Sequence, residues 1–257
     1  MLRNRLIFSL IYSDGFFMQS RNFRLQRVGD INWLEKNYRF HEIAFSLDEL
    51  IILNASRTGK DITEFSKIVS RLACKVFLPI TAGGGIRQIG DAEQLFNSGA
   101  DKLSLNTVLY SDPVLVDSIA KKYGQQSIVA IVDYKIEGDT PVVYIDNGTQ
   151  KLNITLLEYI KNIENMGAGE VVLNSIDKDG TGFGYDLDII ERYKSHINVP
   201  LVVSGGAGNE HHLAVGLNVN GVSAVSTANL FNFIGNGLPN ARSYLIKNGF
   251  NLADWRK

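Results

Sequence analysis

An internal repeat constrains the fold of this chain more than any other feature of its sequence. The segment LPITAGGGI, which begins at Leu78, aligns with VPLVVSGGAG, which begins at Val199, and their prolines at positions 79 and 200 are 121 residues apart. At almost the same offset, the run RLIFSLIYSD around Ile11 faces QQSIVAIVDYK around Asp133. A period of half the chain length predicts two similar halves that pack into one pseudo-symmetric fold.

Eight short apolar runs alternate with longer amphipathic segments along the chain. The predicted strands are Leu6–Ile11, Glu49–Leu53, Val76–Thr81, Lys102–Leu105, Ile128–Val132, Val171–Asn174, Leu201–Val203 and Ala224–Ser226. The predicted helices are Thr63–Leu72, Asp91–Asn97, Pro113–Lys122, Leu152–Asn165, Asp188–His196 and Asn240–Asn248. Continuous apolar strands are typical of a parallel sheet that is buried on both faces. We therefore predict a (β/α)₈ TIM barrel with two-fold half-barrel pseudo-symmetry, with an open doubly wound sheet as the alternative.

Composition and charge narrow the class of protein. We expect one domain over residues 1–257, because no Pro- or Ser-rich linker interrupts the sequence. The net charge of −1 argues against a general nucleic-acid surface. The single cysteine, Cys74, fits a reducing compartment, and no apolar run approaches the roughly 20 residues that a membrane span needs. Since the first apolar run is predicted to be a buried strand rather than a signal peptide, we expect a cytoplasmic protein.

Two glycine-rich loops predict anion binding at one end of the barrel. The loop NSIDKDGTGFGYD carries Asp177, Asp179, Gly180 and Thr181 after a predicted strand. The strand Leu201–Val203 leads into SGGAG, where glycines let backbone N–H groups approach an anion closely. The matching AGGGI of the first half gives a second such loop, and two cradles suit a substrate with a phosphate at each end. Simple turn formation is the alternative role of these glycines.

The segment Phe16–Val28 follows the first predicted strand and has mixed charge with no clean hydrophobic period. We predict a flexible loop over the mouth of the barrel, because the loops that follow barrel strands surround that end. An ordinary surface loop is the alternative.

Five motifs resemble those of one enzyme family. AGGGI, GADKLSLNT, AIVDYK, GAGEVVLNSIDKDGTGFGYD and VSGGAG are together similar to the cyclase subunit of imidazole glycerol phosphate synthase, in family order from Arg3 to about Gly249. The resemblance implies a lyase-type subunit that binds a glutaminase subunit at the barrel base and conducts ammonia through its core. At the mouth, ammonia would react with a bis-phosphorylated ribulosyl-formimino carboxamide nucleotide. The implied products are imidazole glycerol phosphate and aminoimidazole carboxamide ribotide.

The resemblance assigns catalysis to two aspartates, of which this sequence keeps one. Asp133 in AIVDYK matches one of them, and a carboxyl at a barrel strand end is well placed for proton transfer. Capping of the next loop is its alternative role. Ile11 stands where the second aspartate belongs, and Asp14 follows after the chain has left the strand. Gln19 replaces a lysine of the mobile loop and Asn54 an aspartate that ends the second strand, so the mouth departs from the family pattern.

The resemblance also implies two sets of phosphate or substrate contacts. The first set is Gly84, Gly85, Asn106 and Thr107. The second set is Asp177, Asp179, Gly180, Thr181, Gly205, Gly206 and Asn229. Asn229 lies where a serine is common, which predicts an altered second cradle. For Asn106 and Thr107, hydrogen bonding at the strand end is the alternative.

Four charged residues match the family's ammonia gate at the barrel base. They are Arg5, Glu49, Lys102 and Glu170, and each lies at the start of a predicted strand. Because alternate strands of a barrel contribute to one interior layer, we expect the four side chains to meet as a ring. Two cations and two anions would neutralise one another, which eases the cost of burying charge. A purely structural plug is the alternative.

Three functions remain open on these residues. The first is a specialised paralogue that keeps the glutaminase partner and the ammonia path but supports amidation in surface-polysaccharide sugar synthesis, where a separate amidotransferase uses the ammonia. The second is an ordinary histidine-pathway cyclase, and the third is a scaffold that only activates a glutaminase. The ligand would be a bis-phosphorylated or sugar-nucleotide-type small molecule. We expect no cofactor and no metal, since the histidines are scattered without metal-ligand spacing.

Overall fold

The computed structural model describes residues 3–253, which form a closed barrel of parallel strands. The strands are β1 (Arg5–Ser13), β2 (Phe16–Arg21), β3 (Arg24–Gly29), β4 (Glu49–Asn54), β5 (Ile80–Gly83), β6 (Lys102–Leu105), β7 (Ile128–Glu137), β8 (Thr140–Ile145), β9 (Gln150–Thr155), β10 (Glu170–Ser175), β11 (Leu201–Ser204) and β12 (Val222–Thr227). Eight of these pair in parallel in the order β1, β4, β5, β6, β7, β10, β11, β12, and β12 returns to β1. The prediction of a (β/α)₈ barrel is confirmed.

The other four strands form two antiparallel hairpins, one in each half of the chain. The β2–β3 hairpin follows β1, and the β8–β9 hairpin follows β7. Each half therefore consists of a barrel strand, a hairpin and three more barrel strands, so the repeat in the sequence extends to the architecture. The prediction of a loop over Phe16–Val28 is wrong, because this segment forms paired strands that turn at Asn22 and Phe23 with φ of 49° and 61°.

Helices pack around the outside of the barrel. They are α1 (Ile31–Tyr38), α2 (Phe40–Ile43), α3 (Ile62–Ala73), α4 (Ile89–Asn97), α5 (Thr107–Ser111), α6 (Pro113–Tyr123), α7 (Leu156–Asn165), α8 (Leu187–Tyr193), α9 (Glu210–Asn218) and α10 (Gly237–Lys247). Side chains define several of their beginnings: the Asp61 carboxylate accepts the N–H groups of Thr63 and Glu64 at the start of α3. Among the described residues, no helix combines the length and the apolar character that a membrane crossing requires.

Two predicted elements begin four residues later than expected, each for a local reason. The helix predicted from Leu152 begins instead at Leu156, because Thr155 caps it by accepting the N–H of Glu158 and the residues before it belong to β9. The strand predicted from Val76 begins only at Ile80. Phe77 there is 89% exposed, and Pro79 has no N–H to donate to a ladder.

The barrel has two apolar layers. The larger layer lies between the strands and the helices, and it includes Phe8, Phe65 and Ile119. A smaller cluster fills the barrel interior with Ile7, Ile51, Val129, Ile131, Val172, Val202 and Ala224. This interior cluster separates the two ends of the barrel, where the polar residues of the sequence motifs lie.

Candidate active site at the barrel mouth

A cavity of about 440 Å³ opens at the carboxyl ends of the barrel strands. Each of the eight barrel strands contributes to its lining, including Ile11 from β1 and Asp133 from β7. The two positions that the resemblance assigns to catalysis thus face the same cavity. Asp14 does not line it, because the chain turns away into the β2 hairpin at that residue.

Asp133 is a buried carboxyl group whose partners are neutral amides. Its Oδ1 accepts from Asn174 Nδ2 at 2.7 Å, and its Oδ2 accepts from Asn106 Nδ2 at 3.1 Å. Burial raises the pKa of Asp133 to about 7, and the nearby charge of Asp179 acts in the same direction while the amide hydrogen bonds oppose it. A carboxyl that titrates near neutral pH and lines a cavity can act as a general acid or base.

The wall around Ile11 carries no ionisable group from β1. Ile11 pairs with Leu53 on β4 and with Met18 on β2. Deeper in the cavity, the hydroxyl groups of Ser9 and Ser226 are 2.7 Å apart and hydrogen-bonded to each other. This side of the mouth therefore offers hydrocarbon and neutral hydroxyl groups to a ligand.

The predicted first cradle lines the cavity in full. Gly84 and Gly85 turn with φ of 101° and 91°, which an L-residue with a side chain rarely adopts. A Cβ added at Gly84 would lie 2.2 Å from the carbonyl oxygen of Asn54. Asn106 and Thr107 follow β6 beside this turn, and the Thr107 hydroxyl accepts the N–H of Asp146 from the β8–β9 turn.

The predicted second cradle is only partly assembled. Its members at the cavity are Asp179, Gly180, Gly205, Gly206 and Asn229. Asp177 and Thr181 do not line the cavity. The Asp177 carboxylate instead accepts the N–H of Ile136 at 2.7 Å, and the Thr181 hydroxyl donates to the carbonyl of Lys178 at 2.7 Å. Both therefore hold the loop after β10 in place.

Asp179 binds the β2–β3 hairpin to the mouth. Its carboxylate accepts from the hydroxyl of Ser20 and from the N–H of Phe23 at 3.0 Å. Burial raises the pKa of Asp179, and these two hydrogen bonds oppose the rise. A Cβ at Gly180 would lie 1.9 Å from the Ser20 carbonyl oxygen, so only glycine permits this contact. The hairpin thus covers the second half of the mouth.

Several residues of the cavity were not found by sequence analysis. The basic ones are Arg57, Lys60 and Arg87, which lie on the loops after β4 and β5. The available signal was a position on the loop after a barrel strand, and for Asn174 it was a position near the carboxyl end of such a strand. No group of three or more His, Cys, Asp or Glu side chains suitable for a metal occurs within residues 3–253 as far as they are described.

At the opposite end, the four predicted gate residues form a closed ring of ion pairs. Arg5 Nη1 lies 2.9 Å from Glu49, and Arg5 Nη2 contacts Glu170. Lys102 Nζ lies 3.0 Å from Glu49 and 3.1 Å from Glu170. The hydroxyl of Thr81 also donates to Glu49. The expected meeting of these four side chains is therefore present.

The expectation that the four residues come from alternate strands is wrong for one of them. Arg5 and Glu49 come from neighbouring strands, β1 and β4, rather than from alternate ones. Glu49 is level with Ile7, so Arg5 begins two residues below the layer and its long side chain spans the difference. Burial lowers the pKa of Arg5, but the hydrogen bonds and charges of Glu170 and Glu49 outweigh it and leave the pKa raised.

Comparison with known proteins identifies the family. The family model described as "Histidine biosynthesis protein" matches residues 28–235. A protein of Parasynechococcus marenigrum, named as a candidate hisF2 subunit of imidazole glycerol phosphate synthase, is 43% identical over 99% of this chain and 95% of its own length. The chain belongs to the HisF family. HisF proteins of Exiguobacterium sibiricum and Hydrogenobaculum sp. are 36% and 35% identical, each over 98% of this chain and at least 99% of their own.

Proposed function

We propose that this HisF-family protein receives ammonia from a glutaminase subunit bound at the barrel base but does not run the cyclase reaction at full rate. In this proposal it is a specialised paralogue that supports amidation in surface-polysaccharide sugar synthesis. The observation that carries the proposal is the contrast between a complete ring of gate charges and a mouth in which Ile11 faces the same cavity as Asp133.

The composition of the base supports the ammonia path. The ring neutralises itself with two cations and two anions, and above it the interior is aliphatic. A small neutral molecule crosses an aliphatic interior at lower cost than an ion does. Since the ion pairs close the ring, passage needs a transient separation of one of them. Lys102 fits this role, because its side chain is 24% exposed and its stem is flexible.

The side chains at the mouth support the loss of the cyclase reaction. The family pattern pairs Asp133 with a second carboxyl, and an isoleucine can neither donate nor accept a proton. Loss of a general acid or base commonly costs about 10² to 10⁴ in rate. Gln19, in the place of a lysine, uses its Oε1 to accept the N–H of Leu230 at 2.9 Å. It therefore holds the hairpin against the loop after β12.

The relatives support the assignment as a paralogue. The 43% identical relative is named hisF2, whereas the relatives at 33–36% identity are named HisF. The resemblance further implies that a separate amidotransferase uses the ammonia in such pairs. We therefore propose a heterodimer with a glutaminase subunit, to which the amidotransferase is a further partner.

One observation favours an ordinary histidine-pathway cyclase as the second candidate. Asp133 retains a raised pKa of about 7 and two oriented amide partners, as a working acid or base would need. The same observation argues against a scaffold that only activates a glutaminase, because such a scaffold has no use for a tuned carboxyl in a cavity.

The conduit is tested by Lys102→Ala in an Ile11→Asp background, whose cyclase turnover reports delivered ammonia. With a glutaminase subunit of the imidazole glycerol phosphate synthase type, we expect glutamine-dependent turnover to fall while turnover with added ammonium salt is unchanged. Lys121→Ala is the matched control, since Lys121 pairs with Asp117 on an exposed helix face. Equal glutamine-dependent turnover in all three proteins would exclude the proposed path.

A further inference from the structure

We infer that the mouth cavity binds a ligand with a single phosphate-bearing end, held at Gly84–Gly85 by Lys60 and Arg87, and an uncharged hydrogen-bonding end at Gly205–Gly206. This inference rests on the proposed function and names the ligand class of the same cavity. It replaces the expectation of a phosphate at each end. Two independent features of the mouth carry it, the placement of charge and the use of backbone N–H groups.

The basic side chains of the cavity all lie in the first half. Within the described residues, the lysine and arginine side chains that line it are Arg57, Lys60 and Arg87. All three follow β4 or β5 in the chain. The Lys60 stem packs on Gly85, whereas the Arg57 guanidinium donates to the carbonyl of Phe23 on the β2–β3 hairpin at 3.0 Å. No carboxylate forms an ion pair with any of them among the described residues, so their charge is available to a ligand.

Lys60 is held over the glycine turn. A Cβ added at Gly85 would lie 2.6 Å from Lys60 Cβ, so the lysine stem packs directly on this glycine. Lys60 Nζ is 3.4 Å from the Asn147 side-chain oxygen, on the turn of the β8–β9 hairpin. Burial lowers the pKa of Lys60, and Arg87 acts in the same direction while Asp146 opposes it. The negative charge of a phosphate dianion would offset the electrostatic repulsion between Lys60 and Arg87.

The second half uses its own side chains where a phosphate would otherwise bind. Four consecutive backbone N–H groups after β12 already donate hydrogen bonds. Asn229 N–H donates to the Thr227 hydroxyl, and Leu230 N–H donates to Gln19 Oε1 at 2.9 Å. Phe231 and Asn232 N–H both donate to the Asn229 side-chain oxygen, at 3.1 Å and 2.9 Å. A phosphate here would have to displace two amide oxygens of the chain itself.

The lysine at the pseudo-symmetric position of the second half, Lys178, does not supply a positive charge to the cavity. Lys178 packs its stem against Gly206, as Lys60 does against Gly85, yet it does not line the cavity. The carboxylates that line this half are those of Asp133, Asp146 and Asp179. Among the described residues, the first half contributes three cations and the carboxylate of Asp112 to the cavity, whereas the second half contributes these three carboxylates and no cation. Electrostatics thus favours the phosphate in the first half and a neutral group, such as a sugar hydroxyl or an amide, in the second.

The experiment is a titration with inorganic phosphate, followed by backbone amide NMR shifts of the glycines in both halves. We expect Gly84 and Gly85 to shift with one saturating isotherm, and Gly205 and Gly206 to respond at least about tenfold more weakly. Lys60→Gln should weaken phosphate binding about tenfold, the effect of losing one charge-assisted hydrogen bond. Arg87→Gln should weaken phosphate binding similarly. The same loss in both variants would show that it does not come from local misfolding in one of them.

Lys178→Gln is the matched control, and we expect it to leave the isotherm unchanged. Equal affinity at the two glycine pairs, or an equal loss in Lys178→Gln, would overturn the inference. A titration without any shift at Gly84 and Gly85 would overturn it as well. Because the titration involves no turnover, its outcome is separate from the proposed function, which fails instead on full-rate cyclase activity.

Discussion

The base and the mouth of this barrel treat buried charge in opposite ways. At the base, Arg5, Glu49, Lys102 and Glu170 satisfy one another in a ring, and nothing outside the barrel is needed to balance them. At the mouth, Asp133 is buried and held by two amides, with no direct cationic partner in the part of the chain that the structure describes. The base is electrostatically complete by itself, whereas the mouth is prepared for a ligand.

This difference explains how the two ends can change independently. The aliphatic cluster between them carries no charge, so a substitution such as isoleucine at position 11 does not disturb the ring. Buried ion pairs tolerate little change, because removal of one member leaves a partner uncompensated. A wall of neutral side chains around a cavity tolerates more. A paralogue can thus retain the base of its family while its mouth acquires a new ligand.

The largest effect is expected from Ile11→Asp, which sharpens the comparison by making the mouth follow the family pattern. We expect cyclase turnover on the ribulosyl-formimino carboxamide nucleotide, with ammonium salt as the ammonia source, to rise about 10²-fold or more. Ile11→Asn is the matched control, since it is polar but cannot exchange a proton at neutral pH. A turnover unchanged in both variants would show that Ile11 does not limit the reaction.

Removal of a ring member is the next largest effect, and it tests whether the base is complete by itself. Glu170→Ala leaves Arg5 and Lys102 with Glu49 alone, so we expect the free energy of unfolding to fall by about 3 kcal/mol in a denaturant titration. Glu93→Ala removes an exposed ion pair with Lys122 and should cost less than about 1 kcal/mol. Equal losses in the two variants would contradict the account of the base.

A pH-dependent effect of about 2 kcal/mol is expected at Asp133. Because its folded-state pKa of about 7 exceeds that of the unfolded chain, the wild-type protein loses stability as pH rises from about 4 through 7. The side chain introduced by Asp133→Asn does not titrate. The melting temperature of this variant minus that of the wild type should therefore increase by roughly 4–8 °C from pH 5 to pH 8. A constant difference across this range would mean that Asp133 titrates at its ordinary pKa.

The smallest effect concerns the hairpin that covers the second half of the mouth. Ser20→Ala removes the hydrogen bond from the Ser20 hydroxyl to Asp179. We expect trypsin to cleave after Arg21 or Arg24 about tenfold faster, because a hydrogen bond to a charged group is worth about 1.5 kcal/mol or more. Ser118→Ala, on the exposed face of α6, should not alter this rate. Equal cleavage rates would show that the hydrogen bond between Ser20 and Asp179 does not hold the hairpin.

The sequence predicted the barrel because its periodicity is local and repeated. Apolar runs such as those in β4 and β6 are buried on both faces, and the two glycine turns recur at half the chain length. The glycines of both turns could be found from the same repeat, whereas Asp133 and the four ring residues were found through the resemblance to the family.

The hairpins could not be predicted in this way. The strand β3 has no buried residue, and β9 alternates weakly, so neither carries a clear apolar period. The roles of Asp177 and Asp179 depend on which segments meet across the mouth, at Ile136 and Ser20. The cation Lys60 lies on a loop whose sequence does not reveal that it folds over Gly85. Each of these features depends on contacts between segments that are far apart in the sequence.

The ratio of two product rates tests most directly whether the barrel base conducts ammonia below a mouth with altered chemistry. The wild-type protein is combined with a glutaminase subunit, glutamine and the ribulosyl-formimino carboxamide nucleotide, and glutamate and imidazole glycerol phosphate are measured together. We predict that glutamate is released at least about 100-fold faster than imidazole glycerol phosphate forms. Equal rates of the two products would contradict the account.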